Sequence, residues 1–234
     1  MIEILPGVLA ENAEELQEKL SFPGFWQPGM TAHVDILDGS MFGATCFCDA
    51  TAVAGRSIES ETMHRIVSTV PNIELHLMVQ NPLPVIEQWR SLIPETTRAI
   101  VHMEIERSLD PILDRARELG LETGIALCPE TPPDALDRVH HIPDRVLIMG
   151  VHPGASAQPF LGEPILAKIR RLRVLHPLFT IAVDGGIRAD NAQNIVKAGA
   201  NALIATSAIW QSRRPLDAYT QLTHSNTLPD KSRI

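Results

Sequence analysis

VLIMGV, residues 146–151, is an unbroken apolar run of strand length, and ALIAT, residues 202–206, is a second. Strands that are apolar on both faces belong to a parallel sheet covered on both sides, because a half-solvated strand would alternate apolar and polar residues. Working outward, β-rich runs recur at Ile2–Leu5, Thr31–Ile36, Ile73–Met78, Ala99–Met103, Glu122–Leu127, Arg145–Val151, Phe179–Val183 and Asn201–Ala205. Helix-period segments alternate with them at Asn12–Leu20, Leu83–Leu92, Pro111–Leu119, Pro164–Leu175 and Ala189–Ala198. Pro111 and Pro164 suit helix starts, and Gly120 and Gly199 suit helix stops. Strand–helix alternation without a break in composition predicts one parallel sheet. Eight units, with no G-x-G-x-x-G after the first strand, predict a single-domain (β/α)8 barrel over residues 1–224 with a polar tail at 225–234. Function is then expected at the C-terminal ends of the strands.

The chain has 234 residues and a formal net charge of −8, so a general nucleic-acid surface is not expected. An anionic ligand would have to be held by local backbone donors. The N-terminal stretch MIEILPGVLAENAEE has no basic segment, and no apolar run approaches the roughly 20 residues of a membrane span. Three cysteines, Cys46, Cys48 and Cys128, form no disulfide framework. A reducing, cytoplasmic location is expected, with no membrane partner. Cys46-x-Cys48 has the spacing of a soft-metal corner but lacks a second pair.

At the strand ends, AHVDILDG carries His33, Asp35 and Asp38, IELHLMV carries His76, and VDGG carries Asp184. His33 and Asp35 are two apart and share the inward face of one strand. Two imidazoles and two carboxylates converging inside a barrel predict a site for one divalent ion such as Zn, Fe(II), Mn or Co. Without an ion, several costly buried polar groups would stand unexplained. His102 and Glu104 share a face on the fourth strand and read as a pair supporting that site. Met78 and Met149 are strand-end residues that either pack in the core or line a sugar site. Gly185, Gly186 and Ser207, with the loop Gly154, Ala155, Ser156, Ala157 and Gln158, predict a phosphate cradle between the last loops and a helix beginning near Ala189. His140 and His141 read as helical and solvated, and Arg170, Arg171 and Arg173 as a charged outer face. The four lysines fall on outer helices or in the tail, so no Schiff-base amine is expected at a strand end. Asp35 and Asp38 flank Ile36-Leu37, which also excludes a decarboxylase of the D-x-K-x-x-D type.

A metal with two carboxylates around a small cavity suits proton abstraction beside a ketone, with one aspartate removing the proton and the other returning it on the opposite face. Across Ile4–Trp210 the chain resembles the ribulose-phosphate 3-epimerase family. The segments that carry the likeness are AHVDILDG, IELHLMV, VHMEIE, GIALCPETP, MGVHPGASAQPF, KIRRLR, AVDGGI and AGANALIATSAI. The resemblance implies His33, Asp35, His76 and Asp184 as metal ligands, and Asp35 and Asp184 as the acid–base pair. It implies phosphate contacts on Gly154–Gln158, Gly185-Gly186 and Thr206-Ser207. The implied reaction interconverts D-ribulose 5-phosphate and D-xylulose 5-phosphate through a metal-stabilised enediolate, in a homo-oligomer (dimer or hexamer).

The departures lie elsewhere. Gly7 stands where the family usually has serine, and SMFGATCFC follows Asp38-Gly39 in place of a segment beginning H-F-V-P-N. Gly154-Ala155-Ser156-Ala157-Gln158 replaces G-F-G-G-Q, and Thr206-Ser207 replaces G-S. The alternatives are the same chemistry on another ketose phosphate such as a hexulose 6-phosphate, a metal-dependent lyase, or a metal-binding barrel without catalysis.

Overall fold

The computed structural model describes residues 2–46, 72–154 and 157–225. Eight parallel strands close a barrel in chain order: β1 (Glu3–Val8), β2 (Thr31–Leu37), β3 (Asn72–Met78), β4 (Thr96–His102), β5 (Glu122–Leu127), β6 (Arg145–Met149), β7 (Thr180–Asp184) and β8 (Ala202–Ala205). The helices are α1 (Ala13–Leu20), α2 (Pro82–Leu92), α3 (Asp110–Glu118), α4 (Glu163–Leu175), α5 (Ala192–Ala198), α6 (Ser207–Trp210) and α7 (Pro215–Ser225), with a 3-10 turn at Pro133–Arg138. The expected fold is therefore the observed one. The last helix runs through Ser225, and residues 226–234 of the expected tail, like Cys48, Ala155 and Ser156, lie outside the described residues.

The two-sided burial read from VLIMGV and ALIAT has a direct cause. Leu5, Ile100, Ala126, Leu147, Met149, Ala182, Ala202 and Ile204 fill the inside of the barrel, while the alternate strand residues pack outward against the helices. Local chemistry sets the helix ends. The Asn12 side chain accepts from the Glu15 amide at 2.9 Å to start α1, and Gly199, at φ +122°, closes α5.

Two places differ from the sequence reading. The residues from Ala189 form a turn, because the Asn191 side chain accepts from the Arg188 amide (2.9 Å) and donates to the Gly186 carbonyl (2.8 Å), so α5 begins only at Ala192. His140 and His141 lie beyond the 3-10 turn, in a loop held by ion pairs with Asp110 (2.8 Å) and Asp114 (2.8 Å).

The floor of the barrel is ionic. Glu74, fully buried on β3, pairs with Arg98 and with Arg145 (2.8 Å), and Arg145 reaches on to Glu3 (2.5 Å). Beside β1, the rings of Phe22, Phe25, Trp26, Trp210 and Tyr219 pack edge to face or tilted. The Trp210 indole donates to the Gly7 carbonyl at 2.6 Å, which pins the end of β1. Tyr219 belongs to this cluster and is spent on packing.

Candidate active site

Register brings the strand-end side chains to one tier. Asp35 pairs directly with His76 across β2 and β3, Gly7 with His33 across β1 and β2, and Met149 with Asp184 across β6 and β7. His33, Asp35, His76 and Asp184 are all buried, and one donor atom from each lies within 4.8 Å of the others. The sequence reading placed these four together, and the barrel does bring them together.

Both imidazoles of the cluster are held by further side chains. His33 Nδ1 contacts Glu74 Oε1 at 2.6 Å, so its Nε2 faces the cluster. That Nε2 is buried without a hydrogen-bond partner among the described residues, with Asp35 Oδ1 3.5 Å away. An orphaned nitrogen aimed at two carboxylates is what a divalent ion would satisfy, and a carboxylate behind a ligating imidazole is the usual way to fix its tautomer. His76 Nδ1 lies 2.8 Å from Asp35 Oδ1 and 3.7 Å from Asp184 Oδ2. Its Nε2 lies 2.9 Å from His102 Nε2, and His102 Nδ1 lies 2.9 Å from Glu104 Oε2. With a cation in the cluster, one proton arrangement would satisfy this chain and leave the His76 Nδ1 lone pair free for it. His76 Nε2–H donates to His102, and His102 Nδ1–H donates to the Glu104 carboxylate. Glu104 also accepts from the Cys128 amide (2.8 Å) and the Thr131 hydroxyl.

The electrostatics separate the two aspartates. Burial raises the pKa of Asp35, but the His33 and His76 rings beside it outweigh burial and hold it well below the usual carboxylate range. Burial and then the Asp35 charge push Asp184 up to about 6. Burial opposes the charged form of His33, yet the Asp35 and Glu74 carboxylates beside it raise its pKa to about 10. Burial drives His102 down to about 4, the neutral ring the proton chain requires.

Above the cluster opens a cavity of about 250 Å³. Asp35, Met78, Met149, Gly154, Ala157, Gln158, Asp184, Gly185, Gly186, Thr206 and Ser207 all line it. Gly7, also expected at the site, is buried and is not among the residues lining the cavity. Glu11 and Cys46 also line it and were not singled out as site residues by the sequence; Cys46 Sγ accepts from the Leu37 amide at 3.0 Å, which fastens the loop after β2 to that strand. The Gln158 amide donates to the His152 carbonyl at 2.6 Å. Gly185 (φ +103°) and Gly186 (φ +69°) are required by packing: a Cβ there would lie 2.5 Å from Val151 Cγ2 and 2.4 Å from the Phe160 amide nitrogen, respectively.

One sequence inference needs correcting. Lys168 is on α4, as expected, but it is buried, and its amine reaches the Cys128 carbonyl at the end of β5. The long aliphatic stem carries the amine inward past the helix. Burial lowers its pKa to about 8. It does not line the cavity, so no amine among the described lining residues faces the site.

A closed β/α barrel with a buried acid–base cluster at its C-terminal strand ends, beneath a small cavity, defines a barrel enzyme. Comparison with known proteins narrows the class to one family. The profile of the ribulose-phosphate 3 epimerase family matches residues 3–210, and the chain belongs to that family, one of carbohydrate isomerases. The chain is 30% identical to a ribulose-phosphate 3-epimerase of Synechocystis, over 96% of this chain and 94% of that one. A ribulose-phosphate 3-epimerase of Schizosaccharomyces pombe is 27% identical over 95% of this chain and 91% of its own length. A solved tryptophan synthase alpha-subunit from Pyrococcus furiosus superposes with a TM-score of 0.62 over 96% of this chain and 98% of its own, at 15% identity, a likeness of fold alone.

Proposed function

We propose that the protein is a metal-dependent epimerase that inverts C3 of D-ribulose 5-phosphate to give D-xylulose 5-phosphate, a step of pentose phosphate metabolism. The observation that carries this reading is the placement of two buried aspartates, Asp35 from β2 and Asp184 from β7, beside two imidazoles at the floor of one cavity. The imidazoles beside Asp35 favour its ionised form, while burial and the Asp35 charge raise the proton affinity of Asp184. An epimerase needs that asymmetry: one carboxylate takes the C3 proton, a protonated partner returns one on the other face, and the roles exchange in the reverse direction. The two reach the cavity from β2 and β7, so a ketose lying between them presents different faces to each.

His33, Asp35, His76 and Asp184 are the residues that would hold a divalent ion, and the orphaned His33 Nε2 supports this assignment. When bound, the ion would polarise the ketone and offset negative charge developing on the substrate oxygens. The chain's own residues do the rest. Glu74 and His102 orient the two imidazoles, Met78 and Met149 give the cavity apolar walls, and the backbone of Gly154, Ala157, Gln158 and Gly185-Gly186, with Ser207, would meet the phosphate. Apolar walls exclude water and strengthen the interaction of each carboxylate with the reacting proton.

Incubation of the purified protein with D-ribulose 5-phosphate, followed by NMR of the sugar, tests this reading. D-xylulose 5-phosphate should appear, disappear as a product after chelation, and return on adding Zn, Mn, Fe(II) or Co. Turnover of a hexulose 6-phosphate alone would move the assignment to that ketose, and products smaller than the substrate would move it to a lyase. A further expectation is a homo-oligomer in a cytoplasmic setting; among the described residues no helix is long and apolar enough to cross a membrane.

A further inference from the structure

Gly7 and Thr206 are far apart in sequence, and both depart from the family pattern. The barrel makes them a single feature. Pro6 is paired with Ala205 across β1 and β8, so the next step of the register sets Gly7 beside Thr206. Gly7 is in turn paired with His33 across β1 and β2. Leu5 and Ile204 both point into the barrel, and a two-residue period sends the Gly7 and Thr206 positions to the same inward face. A Cβ added to Gly7 would stand 1.9 Å from Thr206 Oγ1, a distance no pair of real atoms tolerates. The threonine hydroxyl therefore occupies the place that a β1 side chain would take. Thr206 lines the cavity and, although it sits at the start of α6, its side chain makes no capping hydrogen bond. The Gly7 carbonyl is already taken by the Trp210 indole.

We infer that Gly7 and Thr206 form one reciprocal specificity element: the bare β1 position admits the Thr206 hydroxyl to the reacting end of the cavity, where it hydrogen-bonds the terminal hydroxymethyl oxygen of the ketose. The placement follows from the tier. The ketone and C3 lie with the aspartates, the phosphate lies toward Ser207 and the glycine loops, and the oxygen at the ketone end of the sugar falls to the hydroxyl in register with His33. The inference rests on the sugar-phosphate reading for its ligand. Its steric half needs no ligand.

The test has two arms. In the first, Gly7→Ser, Thr206→Gly and the double variant are compared by melting temperature without ligand. Gly7→Ser should lower it, and Thr206→Gly in the same chain should recover most of that loss. Additive effects would overturn the pairing. In the second, kcat/KM is measured for D-ribulose 5-phosphate and its 1-deoxy analogue with Thr206→Val and Thr206→Ser. Loss of one neutral hydrogen bond predicts a drop on the order of tenfold for Thr206→Val on the natural sugar. The analogue, lacking the hydroxyl partner, should be turned over equally by both forms, and Thr206→Ser should stay within about threefold of the unaltered protein, a hydroxyl being kept. An equal loss on both sugars would overturn the contact. Failure of the unaltered protein to turn over the pentulose would overturn the sugar-phosphate reading and the ligand contact with it, while the melting arm still decides the pairing.

Discussion

The reacting tier and the phosphate-end loops of this barrel are built on different principles. At the reacting tier each polar side chain is fixed by another: Glu74 behind His33, His102 behind His76, Glu104 behind His102. At the proposed phosphate end the described lining is mostly glycine and loop backbone, whose conformation matters more than its side chains. A network of buried side chains tolerates no single loss, because each removal strands a partner without water. A backbone cradle tolerates substitution wherever the new residue can hold the same φ and ψ. The two regions should therefore differ in which substitutions they tolerate.

If the contrast is right, the largest effect belongs to the reacting tier. Asp184→Asn should lower turnover by about 10²–10⁴-fold, the usual contribution of a positioned acid–base group, while circular dichroism and melting show a folded barrel. A fully active variant would break the two-base account. Next comes the support beneath it. Glu74→Ala removes the carboxylate shared by His33, Arg98 and Arg145, leaving buried charge unpaired, and should cost about 3–5 kcal/mol in urea unfolding. The milder Glu74→Gln should weaken zinc binding by about 10–100-fold on calorimetric titration, and unchanged affinity would remove Glu74 from the support of the site.

The phosphate end should respond with the opposite sign. Ala157 holds φ +58°, the left-handed region that costs a residue with a Cβ about 1–2 kcal/mol. Ala157→Gly relieves that strain and should stabilise the fold by up to about 1 kcal/mol, partly offset by the freer unfolded chain. A lower KM in the same variant would show that this strain limits the phosphate cradle, and an unchanged KM that it does not. A further effect lies outside both regions. Lys168 titrates near pH 8 in the folded protein and near 10.5 unfolded, so between these values the unfolded chain binds more protons. Its burial therefore destabilises the fold at and below neutral pH, and the penalty is relieved as pH rises from about 8 to 10.5. Lys168→Met should flatten that part of the pH–melting curve; an unchanged slope would show that the amine is not desolvated.

The barrel was legible because every strand is buried on both faces, which leaves unbroken apolar runs between turn residues. The four cluster residues were legible for the same reason: His33, Asp35, His76 and Asp184 are polar interruptions of apolar strands, and a two-residue period fixes the face they share. Glu74 carries the same signal, being two before His76, but its charge passed as part of an ordinary strand. Its role became visible only through pairing with Arg98 and Arg145, which come from other strands. The contact between His76 and His102 is likewise set by tertiary geometry. Lys168 was misread because helix position predicts where a Cα sits and not where a four-carbon stem ends. The Gly7–Thr206 relationship spans the two ends of the chain and exists only once the barrel closes.

The most direct test of the central claim is proton exchange at C3 of D-ribulose 5-phosphate in D2O, followed by NMR with the metal-loaded protein. Transfer through Asp35 and Asp184 predicts loss of the C3 proton signal, with deuterium in both the pentulose and the D-xylulose 5-phosphate formed from it. Epimer formation with the C3 proton retained, or no exchange with Zn, Mn, Fe(II) or Co, would contradict it.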